Sequence, residues 1–370
     1  MTRVLIAGLK EPPGGVENVV LSYVQHFDHQ KIHCDFAFIS NTVSFESKIT
    51  EFGGKVYYLP NRVRHPFEYR KQLKLIFEQN LYDAVWCNFS GLTNIDFLKL
   101  AKKHHIDKRI AHAHTANYSW GNILMKYLVP IFHLKNRAVI SNYANILWAC
   151  SEKSADFMFG KKLVHSTEIV PNAISTQNFK SNPEMRKKIR SEFGIGSEDT
   201  VVGHVGRMCT EKNQCFMLDV MKKVIEKKAI SKLLFVGDGE LHNEIINYCE
   251  SIGISDSVIF TGSRNDVADI MQAFDVFLLP SLTEGFPVTI LEAQAANLPC
   301  VTSKEAVTST ANITGNVIFL SLKDNTELWA QQILSCADLQ CNDGIESLTN
   351  AGFDIVSQAE KIQSYLTGEN

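Results

Sequence analysis

Short runs of β-branched and aromatic residues alternate with helical patterns of apolar residues along most of the chain. The run RVLIAGL is followed by the helical pattern VENVVLSYVQHF, and the run HCDFAFIS is followed by ESKITEFGG. Strands that alternate with helices are typical of a parallel sheet covered by helices on both faces. The alternation therefore predicts an α/β fold.

The alternation is interrupted once, between residues 175 and 199. This segment is polar and helix-poor up to residue 184, and the strand–helix pattern restarts at TVVGHVGR. The 370 residues and 45% hydrophobic content suit two domains of ordinary size. We therefore expect a first domain at 1–170, a second at 171–355, and a C-terminal helix at 356–370 that packs back towards the first.

The composition argues against a membrane-spanning, secreted or zinc-binding protein. The sequence has no run of 18 apolar residues that would suggest a membrane span, and its initial VLIAGL is too short for a signal-peptide core. The nine cysteines are scattered, with neither CxxC spacing nor a matching pair of histidines. This pattern indicates reduced thiols in a cytoplasmic protein and no zinc site.

Charge is unevenly distributed along the chain. Residues 1–170 carry 21 Lys and Arg against 14 Asp and Glu, whereas the remainder is acidic. A basic half suits an anionic partner, such as a phospholipid surface or a phosphorylated acceptor. A chance distribution of solvated charges fits the count equally well, because a count does not show clustering.

Two acids, Glu284 and Glu292, lie in the otherwise mostly apolar segment PSLTEGFPVTILEAQAANLPC, residues 280–300. Pro287 is suited to the first position of a helix, and the free N–H groups from Val288 onward favour an anion such as a phosphate. Two carboxylates beside a phosphate site suit two sets of hydroxyls, one from a ribose and one from a sugar ring. Glu284 taken alone fits a solvated loop acid equally well.

Two cations after one strand and two glycines after another are further candidates for contacts with a phosphate group. Arg207 follows a strand in HVGRMCTEKN, and Lys212 comes five residues later, near a helix start. An arginine fork and a lysine charge together suit a diphosphate, although either alone is usually a surface charge. Gly14 and Gly15 precede the first helix, where a backbone without side chains permits close approach to a charged group. Their spacing is not the GxGxxG of a dinucleotide site.

His112 and His114 alternate along the predicted strand RIAHAH, so both side chains point to one face of the sheet. No carboxylate or cysteine lies at supporting distance in the sequence, and no DxD pair is present to hold a metal on a diphosphate. We therefore favour histidines of the core or of a cleft, and we expect no metal site.

The segment YSWGNILMKYLVPIFHLKNR, residues 118–137, is mostly apolar and carries Lys126, Lys135 and Arg137. It fits either an interfacial helix on a membrane or a helix of the core or of a cleft wall. We favour the core or cleft wall, with a kink at Pro130.

With these motifs together, the sequence resembles the family-4 retaining glycosyltransferases of the GT-B fold, in particular those of bacterial exopolysaccharide and capsule synthesis. The resemblance covers nearly the whole chain, and its motifs are PPGGVENVV, AHAHT, ACSEKSADFMFG, VPNAI, VGRMCTEKN, VGDGE, FTGSRNDV, PSLTEGFPVTILEAQAANLPC and AGFDI. It implies two Rossmann-like domains that face each other across a cleft, the first binding the acceptor and the second the nucleotide-sugar.

The resemblance also implies roles for individual residues. Glu292 would accept hydrogen bonds from the ribose, Glu284 would contact hydroxyls of the transferred sugar, and the loop at 262–264 would border the base. The implied catalytic residues are Glu284, Arg207, Lys212 and His114. The implied donor-binding positions are Gly14, Gly15, Arg207, Lys212, Gly237, Arg264, Glu284, Gly285, Phe286, Pro287, Val288 and Glu292.

The implied activity is transfer of a hexosyl or N-acetylhexosaminyl group, with retention, from a nucleotide-sugar to a glycan hydroxyl, forming an α-linkage in surface polysaccharide synthesis. A UDP-sugar donor and a polyprenyl-diphosphate-linked acceptor are expected. No cofactor, divalent metal or nucleic-acid partner is expected, and a peripheral contact with the inner membrane leaflet is compatible with such an acceptor.

Two alternatives to this enzyme remain. One is another GT-B enzyme, such as an epimerase or a phosphorylase, although no pyridoxal-phosphate lysine site is evident. The other is a non-catalytic partner in a glycosyltransferase complex that binds a nucleotide-sugar or a lipid surface. The intact Glu284, Arg207 and Lys212 favour the catalytic interpretation.

Overall fold

The computed structural model of the protein describes residues 1–11, 14–116, 123–284 and 286–369, and of residues 123–127 it describes the backbone alone. The chain forms two α/β units. The first unit comprises Met1–Ala173 and Ile355–Asn370, and the second comprises Ile174–Asp354. The α/β fold expected from the alternation of strands and helices is confirmed.

A seven-stranded parallel sheet forms the centre of the first unit. Its strands are β1 (Thr2–Ala7), β2 (Ile32–Phe38), β3 (Val56–Tyr58), β4 (Ala84–Phe89), β5 (Lys108–Ala113), β6 (Ile146–Ala149) and β7 (Glu168–Ile169). The helices that follow them are α1 (Gly15–Gln25), α2 (Glu46–Glu51), α3 (Pro66–Gln79), α4 (Asp96–Lys103), α5 (Ile123–Arg137), α6 (Glu152–Phe159) and α7 (Lys161–Val164). The strand order is β3-β2-β1-β4-β5-β6-β7.

A six-stranded parallel sheet forms the centre of the second unit. Its strands are β8 (Thr200–Val205), β9 (Ser231–Val236), β10 (Val258–Phe260), β11 (Val276–Leu279), β12 (Cys300–Ser303) and β13 (Val317–Leu320). Its helices are α8 (Pro183–Glu192), α9 (Gln214–Lys227), α10 (His242–Ser251), α11 (Val267–Met271), α12 (Val288–Ala295), α13 (Thr326–Cys336) and α14 (Gly344–Asn350). The strand order is β10-β9-β8-β11-β12-β13.

The central strands are buried on both faces, which explains why their sequences are almost continuously apolar. In β1, Leu5 and Ala7 belong to one hydrophobic cluster, whereas Val4 and Ile6 belong to the cluster on the opposite face. Helices on both sides therefore fix the register of the sheet, because a slip of one residue would exchange the two sets of side chains.

The last helix, α15 (Ile355–Thr367), belongs to the first unit although it follows the second in the chain. Its residues Ile355, Ala359, Ile362 and Leu366 are spaced for one helical face and are buried in a hydrophobic cluster of the first unit. The helix therefore completes a core whose other members come from the first half of the chain.

Helix α5 confirms that the segment at 118–137 is helical from residue 123, and residues 117–122 lie outside the described part of the chain. The helix continues through Pro130. Its outer side, with Ile131 and Leu134, is exposed and so lies outside the core, whereas the place in a cleft wall stays a prediction. Among the described residues, none of the helices combines the length and apolar character needed to cross a bilayer.

Candidate functional site

The order of strands in the second unit reverses between β8 and β11, and the loops that follow these two strands are hydrogen-bonded to each other. The Leu282 N–H donates to the Glu211 carbonyl at 2.8 Å, and Asn213 Nδ2 donates to the Pro280 carbonyl at 3.1 Å. Asn213 has φ 60°, a left-handed conformation that asparagine tolerates better than most residues. Ligands of open parallel sheets bind beyond the carboxyl ends of the strands at such a reversal.

An ion pair connects these two loops. Lys212 Nζ lies 2.7 Å from Glu284 Oε1, and Ser281 Oγ donates to the same oxygen at 2.6 Å. The two charged side chains are only 19% and 10% exposed, so the pair is screened little by water. Glu284 Oε2 makes no hydrogen bond with any described residue, and it therefore remains available as an acceptor.

Arg207 lies two residues beyond the end of β8 and is exposed. Its carbonyl accepts a hydrogen bond from Gln214 Nε2 at 2.9 Å, which ties the loop backbone to the start of α9. Its guanidinium makes no hydrogen bond or ion pair with any described residue. An anion at this edge of the sheet would therefore not have to displace a protein carboxylate from Arg207.

Helix α12 begins at Val288, one residue later than predicted, because Pro287 has an extended backbone with ψ 102° and is the N-cap. No side chain caps this end of the helix. The N–H groups of Val288 and Thr289 make no hydrogen bond with any described residue, and the buried Thr289 hydroxyl has no partner either. The positive end of the helix dipole thus carries free donors.

Of the two residues before Pro287, the structure describes one. Gly285 lies outside the described residues. Phe286 stacks on Phe353, with ring centroids 5.6 Å apart and planes 5° from parallel. The aromatic ring thus anchors the loop to its own unit, and the donor-binding role of Phe286 stays a prediction.

Glu292 lies one turn beyond Val288 and is half-buried. Its carboxyl makes no hydrogen bond with any described residue. Burial without a donor penalises the charged form and raises the pKa of Glu292 to about 7. A ligand hydroxyl that donated to this carboxylate would supply the hydrogen bond that the protein does not.

Three glycines bring neighbouring backbones into close contact at the carboxyl ends of β8, β9 and β10. Gly237 has φ 132°, and a Cβ built on it would lie 2.2 Å from the Gly206 carbonyl oxygen. The Gly237 N–H donates to the Gly262 carbonyl at 2.9 Å. Glycine is therefore required at 237 for local structural reasons, and its contact with a ligand stays a prediction.

Arg264 lies on the loop after β10, and its Nε and Nη2 groups are bound within the unit. They contact both Asp266 oxygens at 2.8 and 2.7 Å and Glu192 at 3.1 Å, and the guanidinium lies over the Phe193 ring. Its Nη1 group makes no hydrogen bond with any described residue. Its place beside the base stays a prediction.

In the first unit, a buried carboxylate fixes the glycine loop before α1. Glu17 Oε1 accepts from the Lys10 N–H at 2.8 Å, and Oε2 accepts from the Gly14 N–H at 2.9 Å. A Cβ built on Gly15 would meet nothing within 4 Å, so the space beside it is open. The approach of Gly14 and Gly15 to a diphosphate stays a prediction.

His112 and His114 confirm the expected pairing on one face, since their rings lie 4.0 Å apart. His114 Nε2 lies 2.8 Å from Asn88 Oδ1, and Trp86 Nε1 donates to His112 Nδ1 at 3.2 Å. Burial lowers the pKa of His114 to about 4 and that of His112 well below its usual value. Both imidazoles are therefore neutral at pH 7. Within the described ranges, no three His, Cys, Asp or Glu side chains form a metal-binding group.

Two family models match the chain. The model described as Glycosyltransferase Family 4 matches residues 13–178, and the model described as Glycosyl transferases group 1 matches residues 199–338. These segments contain most of each α/β unit.

The chain belongs to the family-4 glycosyltransferases.

Relatives of this glycosyltransferase include the putative glycosyltransferase EpsF of Bacillus subtilis (strain 168), which is 28% identical over 331 residues, 88% of this chain and 85% of EpsF. A UDP-Gal:alpha-D-GlcNAc-diphosphoundecaprenol alpha-1,3-galactosyltransferase of Escherichia coli is 36% identical over 154 residues, 40% of this chain and 37% of that enzyme. The chain is thus similar to EpsF over most of its length and to the second relative over a shorter part.

The solved structure of Anabaena HepE in complex with UDP superposes with a TM-score of 0.81, at 17% identity and 100% coverage of both chains. WaaG, a glycosyltransferase involved in lipopolysaccharide biosynthesis, superposes with a TM-score of 0.71, at 17% identity, covering 99% of this chain and 100% of WaaG. These likenesses confirm the GT-B fold. As a member of a retaining family, the glycosyltransferase moves a sugar from a nucleotide-sugar.

Three side chains in the candidate sites of this glycosyltransferase were not among the residues predicted from the sequence. Glu17 stands three residues after Gly14, which is the acidic position of a capping box and could have been recognised. Asn88, which bonds His114, had no signal, because the two residues meet only through strand pairing. His204 is buried on β8, and its Nδ1 lies 3.0 Å from the Leu278 carbonyl while Nε2 has no hydrogen-bond partner among the described residues.

Proposed function

We propose that this glycosyltransferase moves a hexosyl or N-acetylhexosaminyl group from a UDP-sugar to a hydroxyl of a polyprenyl-diphosphate-linked saccharide, forming an α-linkage in bacterial surface polysaccharide synthesis. The observation that carries the proposal is the Lys212–Glu284 ion pair, which lies between the loop of the unpaired Arg207 and the uncapped start of α12. Cations and free N–H groups there suit a diphosphate, and the adjoining carboxylate suits sugar hydroxyls.

The donor class and the acceptor class draw support from the Escherichia coli relative. That enzyme's name states a UDP-galactose donor and an acceptor linked to diphosphoundecaprenol. Its identity of 36% extends over 154 residues. The sugar itself and the linkage position are chosen by residues that this likeness does not identify.

The donor would be held by three kinds of group. Arg207, Lys212 and the N–H groups of Val288 and Thr289 would bind the diphosphate oxygens. Glu284 Oε2 would accept from a hydroxyl of the transferred sugar. The Glu292 carboxylate, which the protein leaves without a donor, would accept from the ribose hydroxyls.

In the reaction, the bond between the anomeric carbon and the diphosphate oxygen breaks, and the acceptor oxygen bonds to the same face of that carbon. The acceptor's hydroxyl proton passes to the departing diphosphate, so no side-chain nucleophile is needed. Arg207 and Lys212 would stabilise the negative charge that develops on the leaving group. Loss of one such group typically lowers kcat by about a hundredfold or more.

The acceptor saccharide would bind in a cavity of about 490 Å³ in the first unit, at the carboxyl ends of β1, β2 and β4. Its polar lining is formed by Lys10, Glu11, Ser40, Asn88, Ser90, Thr93 and Asn94. Amide and hydroxyl groups of this kind exchange hydrogen bonds with sugar hydroxyls. His114, held by Asn88 at this cavity, would lie near the transferred sugar as a neutral imidazole.

A thermal-shift screen against UDP, GDP, dTDP and their common sugars, with and without EDTA, tests the donor. A ligand that binds the folded state raises Tm by mass action. We expect the UDP series to stabilise the wild type, equally in EDTA, and to lose this effect in Arg207→Ala. Arg70→Ala is the matched control, because Arg70 is an exposed arginine on α3.

Product formation completes the test. The stabilising UDP-sugar is incubated with a polyprenyl-diphosphate-linked saccharide, and the lipid product is analysed by mass spectrometry for one added sugar. Stabilisation by GDP or dTDP alone would contradict the UDP assignment. Loss of activity in EDTA would contradict metal-independent transfer. The absence of any nucleotide effect would favour a non-catalytic partner.

A further inference from the structure

His204 is a buried histidine on β8, and the mechanism described above does not use it. The residue is 1% exposed, and its ring lies 5.8 Å from the Phe235 ring and 6.4 Å from the Phe277 ring. A leucine or a phenylalanine would fill such an apolar place without a polar atom, whereas a buried acceptor that lacks a donor is costly. Packing alone therefore does not account for an imidazole at this position.

The hydrogen bond on one side of the His204 ring determines where its proton lies. Nδ1 is 3.0 Å from the Leu278 carbonyl oxygen, which only accepts, so Nδ1 carries the hydrogen. Burial lowers the pKa of His204 to about 3, and the positive charge of Lys212 contributes to this shift. The imidazole is therefore neutral at pH 7, and Nε2 is an acceptor that has no hydrogen-bond partner among the described residues.

This unpaired nitrogen and the side chain of Lys212 lie on either side of Gly206. A Cβ built on Gly206 would be 3.0 Å from His204 Nε2 and 3.4 Å from Lys212 Cε, so both atoms border the space that the glycine leaves open. Nζ is bonded to Cε, and rotation about the last side-chain torsion turns the ammonium between Glu284 and this space. An acceptor that lacks a donor and a cation with three N–H groups thus face the same opening.

A bound donor would weaken the contact that Lys212 makes in the structure. Its Nζ lies 2.7 Å from Glu284 Oε1. Under the proposed function, Glu284 also accepts from a hydroxyl of the transferred sugar, and a carboxylate shared in this way attracts the ammonium less strongly. A further acceptor on the protein side of Lys212 would keep the cation at the diphosphate.

We propose that His204 is a positioning residue of the donor site, whose Nε2 accepts a hydrogen bond from the Lys212 ammonium and holds this cation at the diphosphate while Glu284 binds the sugar. The inference deepens the proposed function and rests on it for the place of Lys212. A neutral imidazole suits this task, because it binds the ammonium without cancelling the positive charge that the diphosphate needs, as a second carboxylate would.

Nitrogen NMR of the imidazoles tests the contact without any nucleotide. Glu284→Gln removes the carboxylate that competes for the ammonium, so the His204 Nε2 signal should move in the direction of a hydrogen-bonded nitrogen. The move should vanish in Glu284→Gln/Lys212→Met, which lacks the ammonium. His204→Asn assigns the signal by removing it. An Nε2 signal that is the same in the wild type and in both of the Glu284 variants would overturn the proposal.

Two substitutions of His204 distinguish a positioning role from a structural one. The short amide of His204→Asn can still donate to the Leu278 carbonyl but does not reach the space at Gly206, whereas His204→Gln reaches this space with an oxygen and loses the bond to Leu278. We expect His204→Asn to weaken UDP binding about tenfold or more, and His204→Gln to bind UDP within about threefold of the wild type. Urea unfolding should rank the two the other way, with His204→Gln less stable. The same ranking in both measurements would indicate a structural role alone.

The coupling between His204 and Lys212 is measured by a double-mutant cycle in UDP affinity. In the Lys212→Met background, His204→Asn should change the affinity by less than about twofold, because no ammonium is left to position. Gly206→Ala should weaken UDP binding in the wild type, since its methyl group would occupy the space between the two side chains. Additive losses from His204→Asn and Lys212→Met would overturn the proposal.

Val202→Ala is the matched control for lost stability. Val202 is buried on β8 two residues before His204, and therefore on the same side of the strand. Its truncation should lower the free energy of unfolding and leave UDP affinity unchanged. Weaker UDP binding by Val202→Ala would show that lost stability alone accounts for the effect of His204→Asn.

The Nε2 signal separates the role of His204 from the proposed function, because it needs no nucleotide. A protein that binds UDP and adds its sugar to a polyprenyl-diphosphate-linked saccharide, but shows additive losses and an unresponsive Nε2 signal, would refute the role of His204 alone. A protein whose Nε2 signal responds as expected, but which binds no UDP, would refute the proposed function alone.

Discussion

Lys212 Nζ lies 2.7 Å from Glu284 Oε1, so the cation assigned to the diphosphate and the carboxylate assigned to the sugar form one ion pair. A donor bound at this point would meet the two side chains as a unit. If either residue is replaced by a neutral one, the other presents an uncompensated charge to the donor. Their effects on transfer are therefore expected to be non-additive.

Glu284→Gln should lower kcat at least about a hundredfold, since it removes the carboxylate proposed to contact the transferred sugar. UDP affinity should be retained or improved, because Lys212 no longer shares its charge with an acid. Steady-state kinetics and UDP titration calorimetry measure the two effects. Glu211→Gln is the control, as Glu211 is an exposed acid on the loop of Lys212. Unchanged turnover would remove Glu284 from the site.

Glu292 should make folding stability depend on pH. Burial raises its pKa from 4.5 to about 7, so between these values the folded protein holds a proton that the unfolded chain has lost. The contribution of this group to the free energy of unfolding therefore falls as pH rises from 4.5 to about 7. Urea unfolding across this range should show a steeper fall for the wild type than for Glu292→Gln.

The same residue should give UDP binding the opposite pH dependence. Ribose hydroxyls that donate to Glu292 favour the ionised carboxylate, so UDP affinity should increase as pH rises through about 7. Glu292→Gln should bind UDP more weakly at pH 8 and lack this contribution to the pH dependence. Equal affinities of the two proteins at all pH values would contradict the ribose role.

Asn88→Asp should raise the pKa of His114 from about 4 towards or above its ordinary value, because a carboxylate in place of the Asn88 amide oxygen favours the imidazolium. NMR titration of the imidazole signals measures the change. Asn94→Asp is the control in the same cavity, since Asn94 bonds Tyr69 and not His114. An unchanged titration would show that the Asn88–His114 contact does not form in solution.

Gly237→Ala should be considerably more destabilising than Gly253→Ala. Both glycines have positive φ, 132° and 74°, but a Cβ at 253 meets nothing within 4 Å whereas one at 237 meets the Gly206 carbonyl. We expect a loss of about 1 kcal/mol at 253 from backbone strain alone and about 3 kcal/mol at 237. Urea denaturation gives both values, and equal losses would contradict the close approach.

The strand and helix pattern was predictable because burial on both faces of a parallel sheet leaves long apolar runs between helices. The β1 run RVLIAGL is an example. Lys212 and Glu284, both expected at the donor site, lie 2.7 Å apart because both follow strands at the same sheet edge, and their roles stay predictions. Elements and positions are thus predictable from the sequence wherever a residue's surroundings are set by its own segment of the chain.

Contacts between distant segments were not predictable. Nothing near Asn88 in the sequence indicates that strand pairing places it 2.8 Å from His114. The inward side of α5 carries His133 and Asn136, which hydrogen-bond to the backbone of Leu92, 41 and 44 residues earlier in the chain. These contacts have no signal in the sequence, and they leave Ile131 and Leu134 on the exposed side. The sequence predicts Pro287 at the first position of α12, where proline is favoured, but its ψ of 102° makes it the N-cap instead.

The placement of α15 has a consequence for synthesis on the ribosome. Ile355, Ala359, Ile362 and Leu366 complete a core whose remaining residues are translated at least 180 residues earlier. The second unit, which is continuous in the chain, has all its residues available before this helix emerges. The half of the enzyme that is made first therefore cannot complete its core until the second unit has been translated, and until then the apolar residues that α15 covers stay exposed.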